Sequence, residues 1–442
     1  MANDVLSMAD RLWRGELSTA TLHPVDHVGG FVEITDGVGF VPSFANVSAF
    51  ETGDGLVLVD TGSLPLARVV HGDLRRWSAS RLNTAIYSHG HIDHVFGVPV
   101  WEAESKERGW EAPQVIAHHA LPARFDRYIF TAGYNTIINR RQFGFKDLNW
   151  PTEYRYPDRT YHDQLALSVG GVDFSLRHEK GETDDHTITW QAERKVLCCG
   201  DLFIWASPNA GNPQKVQRYP REWAQALRRM LLLEAEFLLP GHGLPVVGAD
   251  RVRQALTDTA DLLDSLVDQT LSIMNAGGRL SDAIDSVRPP PELEARPYLR
   301  PVYDEPEFVV HTVWRQYGGW WDGNPATLKP ASERALAEEL ARLAGGPGVL
   351  ADRALELLAQ ADAADTADAA EGDADQALRL AGHLAESAWL ASPADRAVQE
   401  ARQAVFAGRA RRATSTMARG VFNWAAQESV PDAAAETPPH AH

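Results

Sequence analysis

Two cysteines, Cys198 and Cys199, are the only ones in 442 residues, and they stand side by side. Adjacent cysteines rarely pair, so nothing suggests a disulfide framework and a reducing cytoplasm is the expected compartment. No apolar run approaches the roughly 20 residues needed to span a bilayer, so stable membrane insertion is not expected. The amino terminus, "MANDVLSMADRLWRGE", has neither the basic nor the apolar stretch of a signal peptide. Basic residues are also in deficit: 42 Lys and Arg stand against 60 Asp and Glu, a formal net charge of −18. That balance argues against a nucleic-acid partner, which needs a basic face. It leaves room for an anionic small molecule, because one local metal or cationic site outweighs a distant field.

What is present suggests two or three domains. Residues 1–30 read as an N-terminal extension. From 31 to 247, short β-rich runs such as "GLVLVD", "TAIYSH", "KVLCC" and "EFLLP" alternate with stretches of helical spacing, including "REWAQALRRMLLLEA". That mixture predicts a layered α/β domain. From 248 to 430 the pattern turns helical, opening with "ADRVRQALTDTADLLDSLVDQTLSIMNAG" and passing through a proline-rich joint, "RPPPELEARPYLRPVYDEP". An Ala/Asp-rich piece, "LAQADAADTADAAEGDADQA", reads as a solvated helix face or loop, and residues 431–442 as a disordered tail.

The chemistry concentrates in "SHGHIDHVFG", residues 88–97. His89, His91, Asp93 and His94 lie within six positions, directly after an apolar strand. Imidazole and carboxylate suit zinc, with iron or manganese as substitutes. One string cannot complete two metal shells. Asp201 in "CCGDLF" and His242 in "LLPGHGLP" share the same strand-then-ligand setting, with glycines that let the backbone come close.

This series resembles the metallo-β-lactamase superfamily over residues 31–247. The resemblance implies a four-layer αββα sandwich with metals at the strand-end edge. It also gives Asp60, in "GLVLVDTG", the role of orienting a ligand through a hydrogen bond. The superfamily's usual histidine between His94 and Asp201 is missing. In "RHEKGETDDHTITW" Glu182 stands in its place, which resembles the alkylsulfatase branch; His178 and Asp185 are the rival ligands, and His186 is a candidate substrate-side donor. "YGGWWDGNPATLKP", residues 317–330, resembles the helical dimerisation region of alkylsulfatases, which implies a homodimer. "AGYNTIINRRQFG", residues 132–144, is similar to the family's active-site mouth. Two departures stand out: Asp201 replaces the family's bridging Glu, and "LFIWASPNAGNPQKVQRYP" replaces its Arg-containing sulfate-binding stretch.

The resemblance implies two zinc ions per chain. His89, His91 and Glu182 would hold one, and Asp93, His94 and His242 the other, with Asp201 bridging and a hydroxide between the metals. Beyond the ligands, an anionic or amphiphilic ester needs clamps. Candidates are Tyr134, Asn135, Arg140 and Arg141 from the mouth segment, and Asn209, Lys215 and Arg218 from the loop after Asp201. Trp205, Phe203 and Phe130 are candidates for an apolar wall, core packing being the alternative for at least two of them. The expected activity is hydrolysis of alkyl sulfate esters. Its rivals are another ester (phosphodiester, lactone or thioester) and a di-iron redox protein on the same fold. The redox reading is disfavoured by His91, where such proteins carry Glu, and by the lack of a flavodoxin-like half.

Overall fold

The computed structural model describes residues 2–26, 28–364 and 371–429. The expected tail and residues 365–370 of the Ala/Asp-rich piece lie outside these. The chain forms two compact units, residues 1–135 with 149–322, and residues 136–148 with the chain from 323 onward.

Two sheets build the first unit. One has seven strands in sequence order: β1 (Val32–Thr35), β2 (Val38–Val41), β3 (Val47–Thr52), β4 (Gly55–Val59), β5 (Leu82–Ile86), β6 (Gln114–His118) and β7 (Arg159–Tyr161). Its strands are antiparallel from β1 to β4 and parallel from β4 to β7. The other comprises β8 (Gln164–Val169), β9 (Val172–His178), β10 (Thr187–Gln191), β11 (Val196–Gly200), β12 (Phe237–Pro240) and β13 (Val246–Val247). Here only β11 and β12 run parallel.

Alternation along β4 shows how the layers stack, because successive side chains leave a strand on opposite faces. Leu56 and Leu58 pack with Val70, Leu74, Trp101 and Phe125 from the helices Ala67–Trp77, Val98–Arg108 and Leu121–Phe130. Val57 and Val59 belong instead to the cluster that holds Phe174, Leu176, Ile188 and Leu197 of the second sheet. That cluster continues into Trp223 and Leu227 of the helix Pro220–Leu231, and into Leu256 and Leu263 of the helix Ala249–Asn275. The order is therefore helix, sheet, sheet, helix. Each such fully buried aliphatic side chain contributes about 1.5–3 kcal/mol.

The second unit is helical: Glu333–Ala344, Pro347–Ala364, Glu371–Ala391, Arg396–Arg412 and Thr416–Ser429. Ser332 and Asp395 cap two of these helices by accepting the amides of Ala335 and Ala397. Small residues let the helices close on one another. Ala354, Ala361, Ala381 and Ala385 join Leu357, Leu358 and Val405 in one cluster. A Cβ on Gly420 would come within 2.3 Å of the Gln142 carbonyl oxygen, so the segment 136–148 packs backbone-close against the helix Thr416–Ser429. Among the described residues no helix is long and apolar enough to cross a membrane.

Candidate metal centre

Strand ends supply the site. β4 delivers Asp60, β5 the loop of His89, His91, Asp93 and His94, β11 Asp201, and β12 His242; Glu182 comes from the turn between β9 and β10. In parallel pairing the carboxyl ends share one edge, where ligands bind in sheets of this kind. The backbone is shaped for close approach. Asn46 holds the His242 loop by donating to the Pro240 and Gly243 carbonyls at 2.9 and 2.8 Å. A Cβ at Gly241 would lie 2.1 Å from Asp201 Oδ1, so only glycine admits the carboxylate there.

Two groups of ligand-type atoms result. His89, His91, Glu182 and Asp201 form one, and Asp93, His94 and His242 the other, with each group's atoms within 4.8 Å of one another. His89 Nε2 and His91 Nδ1 each lie 3.5 Å from Glu182 Oε2. His242 Nε2 lies 3.2 Å from Asp93 Oδ2 and 3.3 Å from Asp201 Oδ2. His94 Nε2 is 3.4 Å from Asp201 Oδ1, so Asp201 reaches toward both groups. A tetrahedral ion with bonds of about 2.0–2.2 Å would set its ligand atoms roughly 3.3–3.6 Å apart. Four of these spacings fall in that range, His242 to Asp93 is just short of it, and His89 Nε2 and His91 Nδ1 stand closer, at 2.7 Å. His94 Nε2, Glu182 Oε2 and Asp201 Oδ1 are also buried without any hydrogen-bond partner. Buried polar atoms are almost always paired, so three orphans aimed at two points fit a pair of cations.

The far sides of the imidazoles explain their orientation. Asp60 Oδ2 takes the Nδ1 proton of His94 at 2.8 Å, and the Phe44 carbonyl takes that of His242. Both partners only accept, so each Nε2 is turned to the centre and offers its lone pair there once a cation displaces its proton. Asp60 is fixed in turn by the amide and hydroxyl of Ser88, both at 2.7 Å, and its backbone is left-handed at φ 59°. Burial drives the Glu182 carboxyl up to about 8, against the pull of Arg218. Burial works to lower His242, yet Asp201 and Asp93 hold it up at about 10.

The remaining expected site residues fall in several places. His186 is fully buried; its Nε2 accepts the Asp201 amide at 3.2 Å and its ring stacks on His89. Asp185 accepts the Gly90 amide at 2.9 Å and pairs with buried Arg124, propping the loop between His89 and His91 from behind. His178 stacks on His118 and contacts the Asp184 carbonyl, outside both groups. Asn209 and Arg218 both donate to Glu182 Oε1. Lys215 lies over the Trp150 ring at 5.6 Å, within the field of Asp93 and Glu182, and burial lowers it to about 7. Trp205 is a core residue: its Nε1 donates to the Leu244 carbonyl, and its ring edges Trp13 and Tyr298, with Phe203 beside it. Phe130 and Tyr134 are exposed at 89% and 61%, and Asn135 bonds back to Thr131. Arg140 and Arg141 belong to the second unit, where one donates to the Leu148 carbonyl and the other covers Trp424.

Several residues near the centre went unremarked in the sequence reading. Tyr303 sits in the field of Asp93, Glu182, Arg218 and Asp201, and burial pushes its phenol far up, so it stays a proton-bearing donor. Its neighbour Asp304 takes the Gly211 amide at 2.6 Å, fastening this segment to the loop after Asp201. The N-terminal extension reaches the same wall: His23 Nε2 lies 3.1 Å from the Val302 carbonyl, and Pro24 accepts the Gly243 amide. The aromatic and acid between prolines in "RPVYDEP" were the available signal.

Comparison with known proteins places this geometry. Residues 40–242 match the metallo-beta-lactamase superfamily and residues 279–430 match alkyl sulfatase dimerisation. A linear primary-alkylsulfatase of Pseudomonas sp. (strain ATCC 19151) is 26% identical over 322 residues, 67% of this chain and 60% of that protein. An (R)-specific secondary-alkylsulfatase of Pseudomonas sp. is 27% identical over 368 residues, 77% of this chain and 54% of that protein. The chain thus spans 54–60% of the length of these curated relatives. The solved structure of the stereoselective inverting sec-alkylsulfatase Pisa1 from Pseudomonas sp. shares the fold. It has a TM-score of 0.77 at 22% identity, covering 91% of this chain and 66% of that one.

Proposed function

We propose that this chain, which belongs to the metallo-beta-lactamase superfamily and carries an alkyl sulfatase dimerisation region, is a dinuclear zinc hydrolase of alkyl sulfate esters. One observation carries the reading: three orphaned buried ligand atoms, on His94, Glu182 and Asp201, converge with the remaining donors on two points. A pair of divalent cations supplies charge for a developing oxyanion and makes water a nucleophile at neutral pH. Carboxylates and imidazoles together suit zinc ahead of softer metals.

The protein's own groups do the rest. Asp60, Ser88 and the Phe44 carbonyl set the imidazole tautomers before substrate arrives. Lys215 and Tyr303, both in the field of Asp93 and Glu182, are the groups we assign to a sulfate oxygen, the first as a cation and the second as a neutral hydrogen-bond donor. Sulfate is the favoured ester because the relatives are named alkylsulfatases, and because a cation beside the centre suits a leaving group that stays anionic. The dimerisation region supports a homodimer. In the helix Glu333–Ala344, Leu336, Leu340 and Leu343 recur at helical spacing and are 56%, 41% and 70% exposed. The buried free thiols of Cys198 and Cys199 fit a reducing cytoplasm.

The test is purified protein with its metal measured by plasma mass spectrometry, incubated with dodecyl sulfate and with a secondary alkyl sulfate. Sulfate release that needs about two metals per chain and fails in His91→Ala and Glu182→Ala supports the reading. Bound metal without sulfate release moves the search to other esters.

A further inference from the structure

Glu182 is held asymmetrically. Its Oε1 receives Asn209 Nδ2 and Arg218 Nη1, the latter at 2.5 Å, while Arg218 Nη1 also lies 3.1 Å from the Glu182 carbonyl. Its Oε2 receives nothing and lies 3.5 Å from both His89 Nε2 and His91 Nδ1. Arg218 is itself buried, with a side chain 4% exposed. Among the described residues the other group is steadied from behind by acceptors, Asp60 on His94 and the Phe44 carbonyl on His242. The two halves of the centre therefore rest on different supports.

We propose that Arg218 is a positioning residue for the His89–His91–Glu182 half of the centre. By occupying Oε1 together with Asn209, it leaves Oε2 as the single ligand atom and keeps a negative charge available there. Occupancy of this half then depends on residue 218, and occupancy of the Asp93–His94–His242 half does not. The inference rests on the dinuclear reading above, and it reassigns Arg218 from substrate clamp to support of a ligand. A buried carboxylate that loses its fixed partners can turn, share both oxygens or take up a proton, and each weakens a one-atom metal bond.

The experiment titrates metal-free protein with cobalt(II), followed by calorimetry and by visible absorption, with circular dichroism as the fold control. Wild type is expected to bind about two ions. Arg218→Gln should weaken one of the two sites by about 10–100-fold and leave the other unchanged. In a Glu182→Ala background the same change should have no further effect, which a general loss of packing would not reproduce. Arg218→Lys keeps the charge without the fork and Asn209→Ala removes the second donor; both should show a smaller loss at the same site, so a poorly folded Arg218→Gln does not end the test. Two wild-type sites in folded Arg218→Gln, with only KM raised, would overturn the proposal and restore the clamp role. A wild type that binds no ion would instead overturn the metal reading itself, so the two failures are distinguishable.

Discussion

In the second unit the buried guanidinium of Arg402 is matched in full. It donates to Glu386, to the Ala425 carbonyl, to Ser429 and to Glu428, so all its N–H groups have acceptors. At the strand-end edge of the first unit, His94, Glu182 and Asp201 are buried as deeply, yet each leaves one atom unmatched. The matched network holds helices together and offers a visitor nothing. The unmatched atoms cost stability unless something else meets them, so they mark where an external charge belongs. Other buried atoms also lack partners, but only here do they converge with further ligand-type atoms, and that convergence separates chemical from structural polarity among the described residues.

Four experiments would break or sharpen that comparison. Asp201→Ala removes the one carboxylate that faces both groups; metal content should collapse, and sulfate release should fall by at least about a thousand-fold. Full activity in that variant would end the reading of the unmatched atoms. Asp60→Ala leaves every facing atom in place but frees His94, and should weaken metal binding about 10–100-fold in a calorimetric titration. For contrast, Arg402→Ala should lower the stability of the helical unit by roughly 2 kcal/mol in a denaturant melt, while metal content stays at the wild-type value. A fall in metal content there would dissolve the distinction between the two units. The smallest effect concerns Lys215. Burial, reinforced by Arg218, lowers it to about 7, so its ammonium is charged below that pH and neutral above. KM for an alkyl sulfate should then rise by up to about tenfold across that value, and Lys215→Met should flatten the profile at the high-KM level.

The candidate ligands were the most legible part of the site because each announces itself locally. His89, His91, Asp93 and His94 are contiguous, and Asp201 and His242 follow apolar runs at glycines. Glu182 needed a family resemblance, since nothing in "KGETDD" favours it over Asp185. The structure separates the two by their partners: Asp185 is engaged by Gly90 and Arg124, and Glu182 Oε2 is left open. What stayed hidden depends on residues far apart in the chain. Arg218 reads as one more surface cation until Glu182 appears beside it, and Tyr303 reads as part of a joint until Asp304 is seen holding Gly211. The layered sheets followed from alternation along each strand, which is local. The membership of Arg140 and Arg141 in the helical unit followed from Gly420, and no local pattern reports that.

That last contact has a consequence for synthesis. The segment 136–148 leaves the ribosome well before its packing partners near Gly420 exist. It must wait, unpaired, while the remaining strands and helices of the first unit emerge and collapse. Closure between points so distant in the chain comes late and slowly. A nascent chain stalled before residue 416 should therefore expose this segment to protease, and no single cut at one linker can divide the protein into its two units.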